Sequence, residues 1–274
     1  VVFPVNVSDA TAELSETLLI VNGILVFISV FISYRLATRT LRPIEEAYER
    51  QRQFLSDASH ELRTPLAILQ ANLENERDGA SIDLRASAIS HLEEVRRMST
   101  LVSDVLSLSK LEHSGSETAR APMIVNDVLQ KVVDRLSSIA MNHHVALVLE
   151  DASETFTILA ADEPFIRVLT NIIENAILYN RPEGSVSVSM EREDDSVRID
   201  VVDTGVGIAE KDVQKIFDRF YRADKSRSRR TGGSGLGLSI ARSIIESFGG
   251  AISMKSTVDI GTTVSIVLPI HKAS

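Results

Sequence analysis

One histidine, His60, stands in a stretch whose neighbours suit it for nucleophilic chemistry. Apolar residues recur around it at spacings of three, four and seven, which predicts an amphipathic helix with His60 off the apolar stripe. A neutral imidazole offers one nitrogen as nucleophile, and a carboxylate that binds the N–H of the other selects which one attacks. Glu61 is the nearest candidate for that carboxylate, and Thr64 shares the face of His60 one turn on. The alternative is a solvated surface histidine.

Two asparagines further along the chain, Asn171 and Asn175, are one turn apart on a predicted helix and therefore point the same way. Their amide oxygens suit magnesium, which prefers hard oxygen ligands and bridges nucleotide phosphates. Asp203 follows a predicted buried strand, and a carboxylate at a strand end can accept the amine of adenine. Gly205 and Gly207 let the backbone approach a bound base. Alone, this aspartate–glycine pattern is most often a turn.

A glycine-rich segment opens a later predicted helix and has the features of a phosphate cradle. Its glycines expose backbone N–H groups, and a helix N-terminus favours anions. No Lys-Ser/Thr pair follows, so it is not a Walker loop, and its glycine spacing does not fit a dinucleotide-binding fingerprint. A flexible linker is the alternative, which the periodic helix that follows disfavours. The residues expected at the phosphates are Gly233, Ser234, Gly235, Leu236 and Gly237.

An aromatic and basic segment precedes the glycine cradle. The aromatics of residues 216–222 could anchor a mobile segment while an arginine of this run reaches a phosphate. The basic run at 222–230 fits a lid over a polyphosphate better than a nucleic-acid-binding arm. The net charge of −9 also argues against a general nucleic-acid binder. Cysteine is absent, which excludes disulfides, thiolate metal sites and a cysteine nucleophile.

Residues 17–34 form an uncharged, mostly aliphatic run that could cross roughly 27 Å of hydrocarbon as a helix. We interpret this run as one transmembrane helix; the alternative is a buried core helix. Acidic residues precede it and arginines follow it, so the positive-inside rule places the N-terminus outside and the remainder in the cytoplasm. Residues 1–16 would be an extracytoplasmic stub. Because the sequence begins with Val, we expect a further N-terminal part before it.

The helix around His60 and a second periodic stretch at 82–111 carry apolar seams that two helices cannot bury alone. A four-helix bundle built from two chains would bury them, so we predict a homodimer with His60 on its outer surface. A monomeric bundle would need two more helices that the sequence lacks. Beyond a linker-like stretch at 112–121, strands and helices alternate loosely, which predicts an α/β sandwich with helices on one face of a sheet.

Residues 59–66, SHELRTPL, closely resemble the phosphoacceptor box of bacterial sensor histidine kinases. The asparagine, aspartate–glycine, phenylalanine and glycine patterns resemble the boxes of the histidine-kinase ATP-binding domain, which belongs to the gyrase, chaperone and mismatch-repair ATPase superfamily. The resemblance covers roughly residues 41–269. It implies a juxtamembrane helix with a dimerisation and histidine phosphotransfer domain at 35–113, followed by a catalytic ATP-binding domain at 119–270.

The resemblance implies a protein-histidine kinase of the bacterial cell membrane that uses ATP and Mg²⁺. It would autophosphorylate His60 and pass the phosphoryl group to an aspartate of a response regulator. Glu61 would be the general base, Thr64 would position water for dephosphorylating the partner, and Arg222 would contact the γ-phosphate. The other nucleotide-binding residues implied are Asn171, Asn175, Tyr179, Asp203, Gly205, Gly207 and the glycine cradle, with Asn171 and Asn175 at the magnesium.

Leu178 departs from the family pattern, which commonly has a lysine at this position to neutralise phosphate charge. Unless Arg222 or a lid arginine such as Arg229 compensates, we expect a weak kinase step, because phosphoryl transfer depends on charge stabilisation. The alternatives are therefore a phosphatase-dominant receptor, a non-catalytic ATP-gated scaffold and a chaperone-type ATPase. The phosphoacceptor box argues against the last two.

Overall fold

The computed structural model describes residues 7–77, 84–113, 120–223 and 234–271. The chain divides into two compact units, residues 1–57 and residues 58–274. Parts of the sequence predictions fall outside the described residues, namely most of the linker, most of the basic run and Gly233.

The described part of the first unit is the N-terminal portion of helix α1 (Val7–Arg77). Within this helix, Ser15–Arg42 is long and apolar enough to cross a membrane, and none of its side chains is buried. A helix satisfies its own backbone hydrogen bonds, as a membrane span must. The length and composition of this segment therefore agree with the predicted transmembrane helix.

The second unit begins with the helical region predicted around His60. It comprises the remainder of α1 and helix α2 (Leu84–His113). Many apolar side chains of these two helices are exposed on the single chain, namely Leu66, Ile68, Leu73, Ile89, Leu92, Val95, Val102 and Leu106. Contiguous apolar surface of this kind marks an interaction site when it is found on a folded domain.

The ATP-binding region predicted after α2 is built on a five-stranded sheet. Strand β2 (Ala146–Leu149) pairs in parallel with β4 (Ser185–Glu193). Strand β4 then pairs antiparallel with β5 (Ser196–Asp203), followed by β7 (Gly261–Pro269) and β6 (Ala251–Thr257). The order across the sheet is therefore β2-β4-β5-β7-β6.

Three helices cover one face of this sheet. They are α3 (Val125–Asn142), α4 (Asp162–Leu178) and the later helix Gly237–Ser247, which we number α6. The strands alternate between buried apolar and partly exposed polar residues, as a sheet with one covered face requires. The predicted α/β sandwich with helices on one face is confirmed.

Two short elements were not predicted. Strand β1 (Ala121–Ile124) pairs antiparallel with β3 (Thr157–Ala160), and helix α5 (Glu210–Val213) follows β5. Each contains four residues, too few to show a periodic pattern. The linker predicted at 112–121 is also shorter at both ends, because α2 extends to His113 and β1 begins at Ala121.

Ile199 lies fully buried on β5, the central strand of the sheet. We expect Ile199→Ala to lower the free energy of unfolding by about 2–5 kcal/mol, because it removes buried methyl groups and leaves a cavity. Hydrogen exchange of the β4 and β5 amides would report this loss as faster exchange. Val202→Ala, on the same strand but partly exposed, is the matched control and should change exchange much less. Equal effects of the two substitutions would contradict this account of the core.

Candidate functional site

His60 lies on α1 with its side chain exposed, as predicted. The Thr64 hydroxyl donates a hydrogen bond to the His60 carbonyl oxygen at 3.3 Å, so the two residues share one turn of the helix. Glu61 makes no hydrogen bond to His60 within the described part of the chain. Its carboxylate oxygen Oε2 lies instead 3.7 Å from Nη1 of Arg222. The Arg222 side chain is the less exposed of the two. The structure thus brings Arg222 to Glu61, the residue next to His60, although the two are far apart in sequence.

Asn171 and Asn175 share one face of α4. The Asn175 amide nitrogen donates to Oδ1 of Asn171 at 3.0 Å, and both side chains are partly buried. Gly237, the first residue of α6, lies directly against this pair, because a Cβ atom at that position would collide with the Asn171 amide. The last glycine of the cradle and the asparagine pair therefore form one continuous surface.

The Asp203 carboxylate is held by backbone groups. Oδ1 accepts hydrogen bonds from the N–H of Gly205 at 2.8 Å and the N–H of Thr262 at 3.2 Å. Burial raises the pKa of Asp203 above its ordinary value, and these two hydrogen bonds partly oppose that shift. The arrangement fixes Oδ1 and directs the remaining acceptor capacity of the carboxylate to Oδ2.

The loop after Asp203 is clamped between the end of α4 and the turn joining β6 to β7. The N–H of Val206 donates to the Tyr179 carbonyl oxygen at 3.1 Å, and the Val206 carbonyl accepts from the N–H of Asp259 at 2.9 Å. A Cβ atom on Gly205 would lie 2.5 Å from the Tyr179 oxygen, so this approach requires glycine. Gly207 has a φ of +67°, which also favours glycine. Tyr179, Gly205 and Gly207 therefore meet at one edge of the site.

The phenylalanine and glycine segments contact each other on either side of residues 224–233. The N–H of Phe220 donates to the Gly235 carbonyl oxygen at 2.9 Å. Gly235 has a φ of +72°, and a Cβ atom there would lie 2.9 Å from the Phe220 Cα. Leu236 is fully buried at the start of α6. Because of this contact, the segment that carries Arg222 lies beside the glycine cradle.

Two residues that sequence reasoning missed, Asp104 and Arg167, form with Ser234 a connection between α2 and the ATP-binding region. The Ser234 hydroxyl donates to Oδ2 of Asp104 at 2.8 Å, and Nη2 of Arg167 lies 2.5 Å from Oδ1 of the same carboxylate. Asp104 is only 8% exposed. The signal that could have found it is an aspartate within an otherwise apolar seam, since a buried carboxylate requires a partner.

Comparison with known proteins assigns both regions to described families. The His Kinase A (phospho-acceptor) domain matches residues 50–114, and the family of histidine kinase-, DNA gyrase B-, and HSP90-like ATPases matches residues 160–272. The first match contains His60, Glu61 and Thr64. The second contains the asparagine pair, Asp203 and the glycine cradle.

Full-length relatives agree with these matches. The chain is 35% identical over 243 residues to the sensor histidine kinase RppB of Synechocystis sp., an alignment that covers 88% of this chain and 54% of RppB. It is 37% identical over 229 residues to the signal transduction histidine-protein kinase ArlS of Staphylococcus aureus, covering 82% of this chain and 50% of ArlS. The chain thus spans about half the length of these curated relatives.

A solved structure shares the fold. The histidine kinase AdeS of Acinetobacter baumannii aligns with a TM-score of 0.65 and 26% identity, over 78% of this chain and 98% of the AdeS chain. The similarity extends over both the helical region and the α/β region, because neither alone accounts for that share of the chain.

The raised pKa of Asp203 predicts a pH-dependent effect of Asp203→Asn on stability. A folded-state pKa above the ordinary value of 3.8 means that the folded state binds the proton more tightly, so stability is lost as pH rises through the folded pKa. Asparagine is neutral throughout and keeps an acceptor for the two backbone N–H groups. We expect the unfolding free energy of the variant, relative to wild type, to increase from pH 4 to pH 7 in denaturant titrations. A difference that does not change with pH would contradict this burial effect.

Proposed function

Because the chain belongs to the sensor histidine kinase family, we propose that it transfers the γ-phosphoryl group of ATP to His60 and then to an aspartate of a response regulator. The observation that carries this proposal is the contact of Arg222 with Glu61 at 3.7 Å. It lies beside the exposed His60 and joins the phosphoacceptor helix to a segment of the ATP-binding region.

The proposed chemical step takes place at His60. A ring nitrogen of the neutral imidazole attacks the γ-phosphorus, a nitrogen–phosphorus bond forms, and the bond from that phosphorus to the β,γ-bridging oxygen breaks as ADP leaves. The other ring nitrogen then carries a proton that a base must accept, and Glu61 is the neighbouring carboxylate. Its approach to His60 requires that Arg222 exchange Glu61 for phosphate oxygens, which the guanidinium binds in the same forked geometry.

The proposed nucleotide site lies at the end of β5, between the end of α4 and the turn that joins β6 to β7. Oδ2 of Asp203 accepts the exocyclic amine of adenine, while Tyr179 and Gly205 form the adjoining wall through their backbone contact. The phosphates would lie at the N-terminus of α6, where the backbone N–H groups of Gly235 and Gly237 can bind an anion. The N–H of Leu236 donates to the Ser234 hydroxyl beside them. Gly233 and the arginines of the basic run would complete this cradle, and these lie outside the described residues.

Asn171 and Asn175 are the proposed residues for magnesium. The donor set fits this ion, since amide oxygens are hard ligands. The Asn175 amide nitrogen donates to Asn171, which leaves the Asn175 amide oxygen to bind the metal. When bound, magnesium would neutralise charge on the phosphates.

A second copy of the chain is the proposed cover for the exposed apolar seam of α1 and α2. The seam runs along both helices, and a bundle of four helices buries such a surface without leaving polar backbone exposed. Dimerisation through the phosphoacceptor domain is typical of the family. The first unit would anchor the dimer in the bacterial cell membrane, with the acidic N-terminal flank outside and residues after 34 in the cytoplasm.

We expect His60→Gln to abolish stable phosphorylation of the chain, because glutamine has no nucleophilic nitrogen. The measurement is incubation of the full chain in detergent with γ-labelled ATP and magnesium, followed by acid and alkali treatment. Phosphohistidine is lost in acid and survives alkali. His143→Gln, an exposed histidine on the ATP-binding region, is the matched control and should label normally. A labelled His60→Gln variant would refute the assignment.

A phosphatase-dominant protein is the second candidate, favoured by Leu178 at the position of the usual lysine and by the hydroxyl of Thr64 one turn from His60. We expect Thr64→Ala to slow dephosphorylation of the phosphorylated regulator at least tenfold while leaving His60 labelling within about twofold, because the hydroxyl acts only on water. Thr64→Ser retains the hydroxyl and should retain phosphatase activity. Loss of both activities in Thr64→Ala would mean that Thr64 serves the kinase step or the helix itself.

A further inference from the structure

A buried carboxylate on α2 contacts two parts of the ATP-binding region. Asp104 is 8% exposed and shares a face of α2 with Leu101 and Leu108, which are 4% and 1% exposed. Its Oδ1 accepts from Nη2 of Arg167 at 2.5 Å, and its Oδ2 accepts from the Ser234 hydroxyl at 2.8 Å. Helix α2 also packs against α6 at this level. Both oxygens of this buried charge therefore have partners in the nucleotide-binding region.

Arg167 binds α2 through both terminal nitrogens of its guanidinium. Its Nη1 donates to the Ser107 hydroxyl at 2.5 Å, while Nη2 binds Asp104 one turn earlier on α2. The planar guanidinium allows one orientation that satisfies both contacts. Arg167 also lies one turn before Asn171 on α4, so the face of α4 that holds α2 is the face that carries the asparagine pair.

Ser234 makes the second connection from within the glycine cradle. Its hydroxyl donates to Asp104 and accepts a hydrogen bond from the N–H of Leu236 at 3.2 Å. Ser234 immediately precedes Gly235, and Gly237 follows two residues later against Asn171. We call Asp104, Ser107, Arg167 and Ser234 the Asp104 cluster. This cluster therefore contains residues from α2, from α4 and from the glycine cradle.

We propose that Asp104 is a positioning residue for phosphoryl transfer, which holds the nucleotide site against the phosphoacceptor helices so that Arg222 and the γ-phosphate face His60 of the same chain. The inference rests on the proposed kinase function. A second contact supports it, since Arg222 reaches Glu61 on α1 while the Asp104 cluster holds α2. Two separated contacts on two helices determine an orientation that a single contact would leave free to rotate.

The energetics favour orientation over stability as the role of this cluster. Replacing a buried ion pair with apolar residues is often neutral or stabilising for a fold, whereas its directed hydrogen bonds fix geometry. Transfer requires the reacting atoms to be held about 3–3.5 Å apart, and a misplacement of about 1 Å can reduce a rate by roughly a hundredfold. Loss of the cluster should thus reduce the rate at saturating ATP and leave nucleotide affinity nearly unchanged.

The test is a charge exchange between α2 and α4 in the full chain. Asp104→Lys and Arg167→Glu each place like charges together, and the double variant Asp104→Lys/Arg167→Glu restores an opposite pair. We expect each single variant to lower the maximal rate of His60 labelling at least tenfold, with the KM for ATP within about twofold. The double variant should recover at least half of the lost rate on a logarithmic scale. Arg135→Glu, at an exposed arginine of α3, is the matched control and should change neither quantity.

Binding of a fluorescent ATP analogue to each variant shows whether the ATP-binding region is folded. Three results would each overturn the positioning role. They are single variants that label at the wild-type rate, single variants whose labelling falls only through a higher KM, and a double variant that stays impaired despite normal analogue binding. Absence of His60 labelling in the wild type would overturn the proposed function and the inference with it. If the wild type is labelled at His60 and the single variants label at the same rate, the inference fails while the proposed function stands.

Discussion

The packing of the ATP-binding region against α2 is the constraint on which the proposed chemistry depends. His60 is exposed on α1, whereas Asp203 and the asparagine pair belong to the α/β region. Phosphoryl transfer needs little from the protein except position and charge. The fold supplies position through contacts between separate parts of the chain, at Glu61 with Arg222 and at Asp104 with Arg167.

At the proposed nucleotide site, a carboxylate is buried at a cost in free energy that the apolar core does not have. Asp203 is held with a raised pKa, so its charged form is less favourable in the folded state than in water. Backbone N–H groups and close approaches by glycine keep it in place, and a side chain at Gly261 would collide with the Asp203 carbonyl. A carboxylate that were needed only for stability would be better exposed. Its burial is understandable if a ligand completes its hydrogen bonds, which is the usual compromise between stability and function.

Much of this arrangement could be predicted from the sequence. The resemblance to histidine kinases is confirmed, as is the α/β sandwich, because long periodic segments such as α3 and α4 define their own buried face. The residue pairs across the site could not be predicted in the same way. Arg222 and Glu61 carry no local signal of their proximity, and the place of Asp104 within an apolar seam indicates burial but does not identify its partner. Such contacts depend on tertiary structure, which periodicity does not encode.

Leu178 now has a clearer physical consequence. Arg167 is the cation nearest to the asparagine pair in sequence on α4, yet its guanidinium is committed to Asp104 and Ser107. Its charge is therefore largely compensated before any phosphate arrives. Under the proposed function, neutralisation of the γ-phosphate would then depend on Arg222, on magnesium and on the basic run beyond residue 223, whose charges lie close in sequence to the glycine cradle. In the proposed kinase step, the leucine at position 178 therefore leaves charge neutralisation to other segments of the chain.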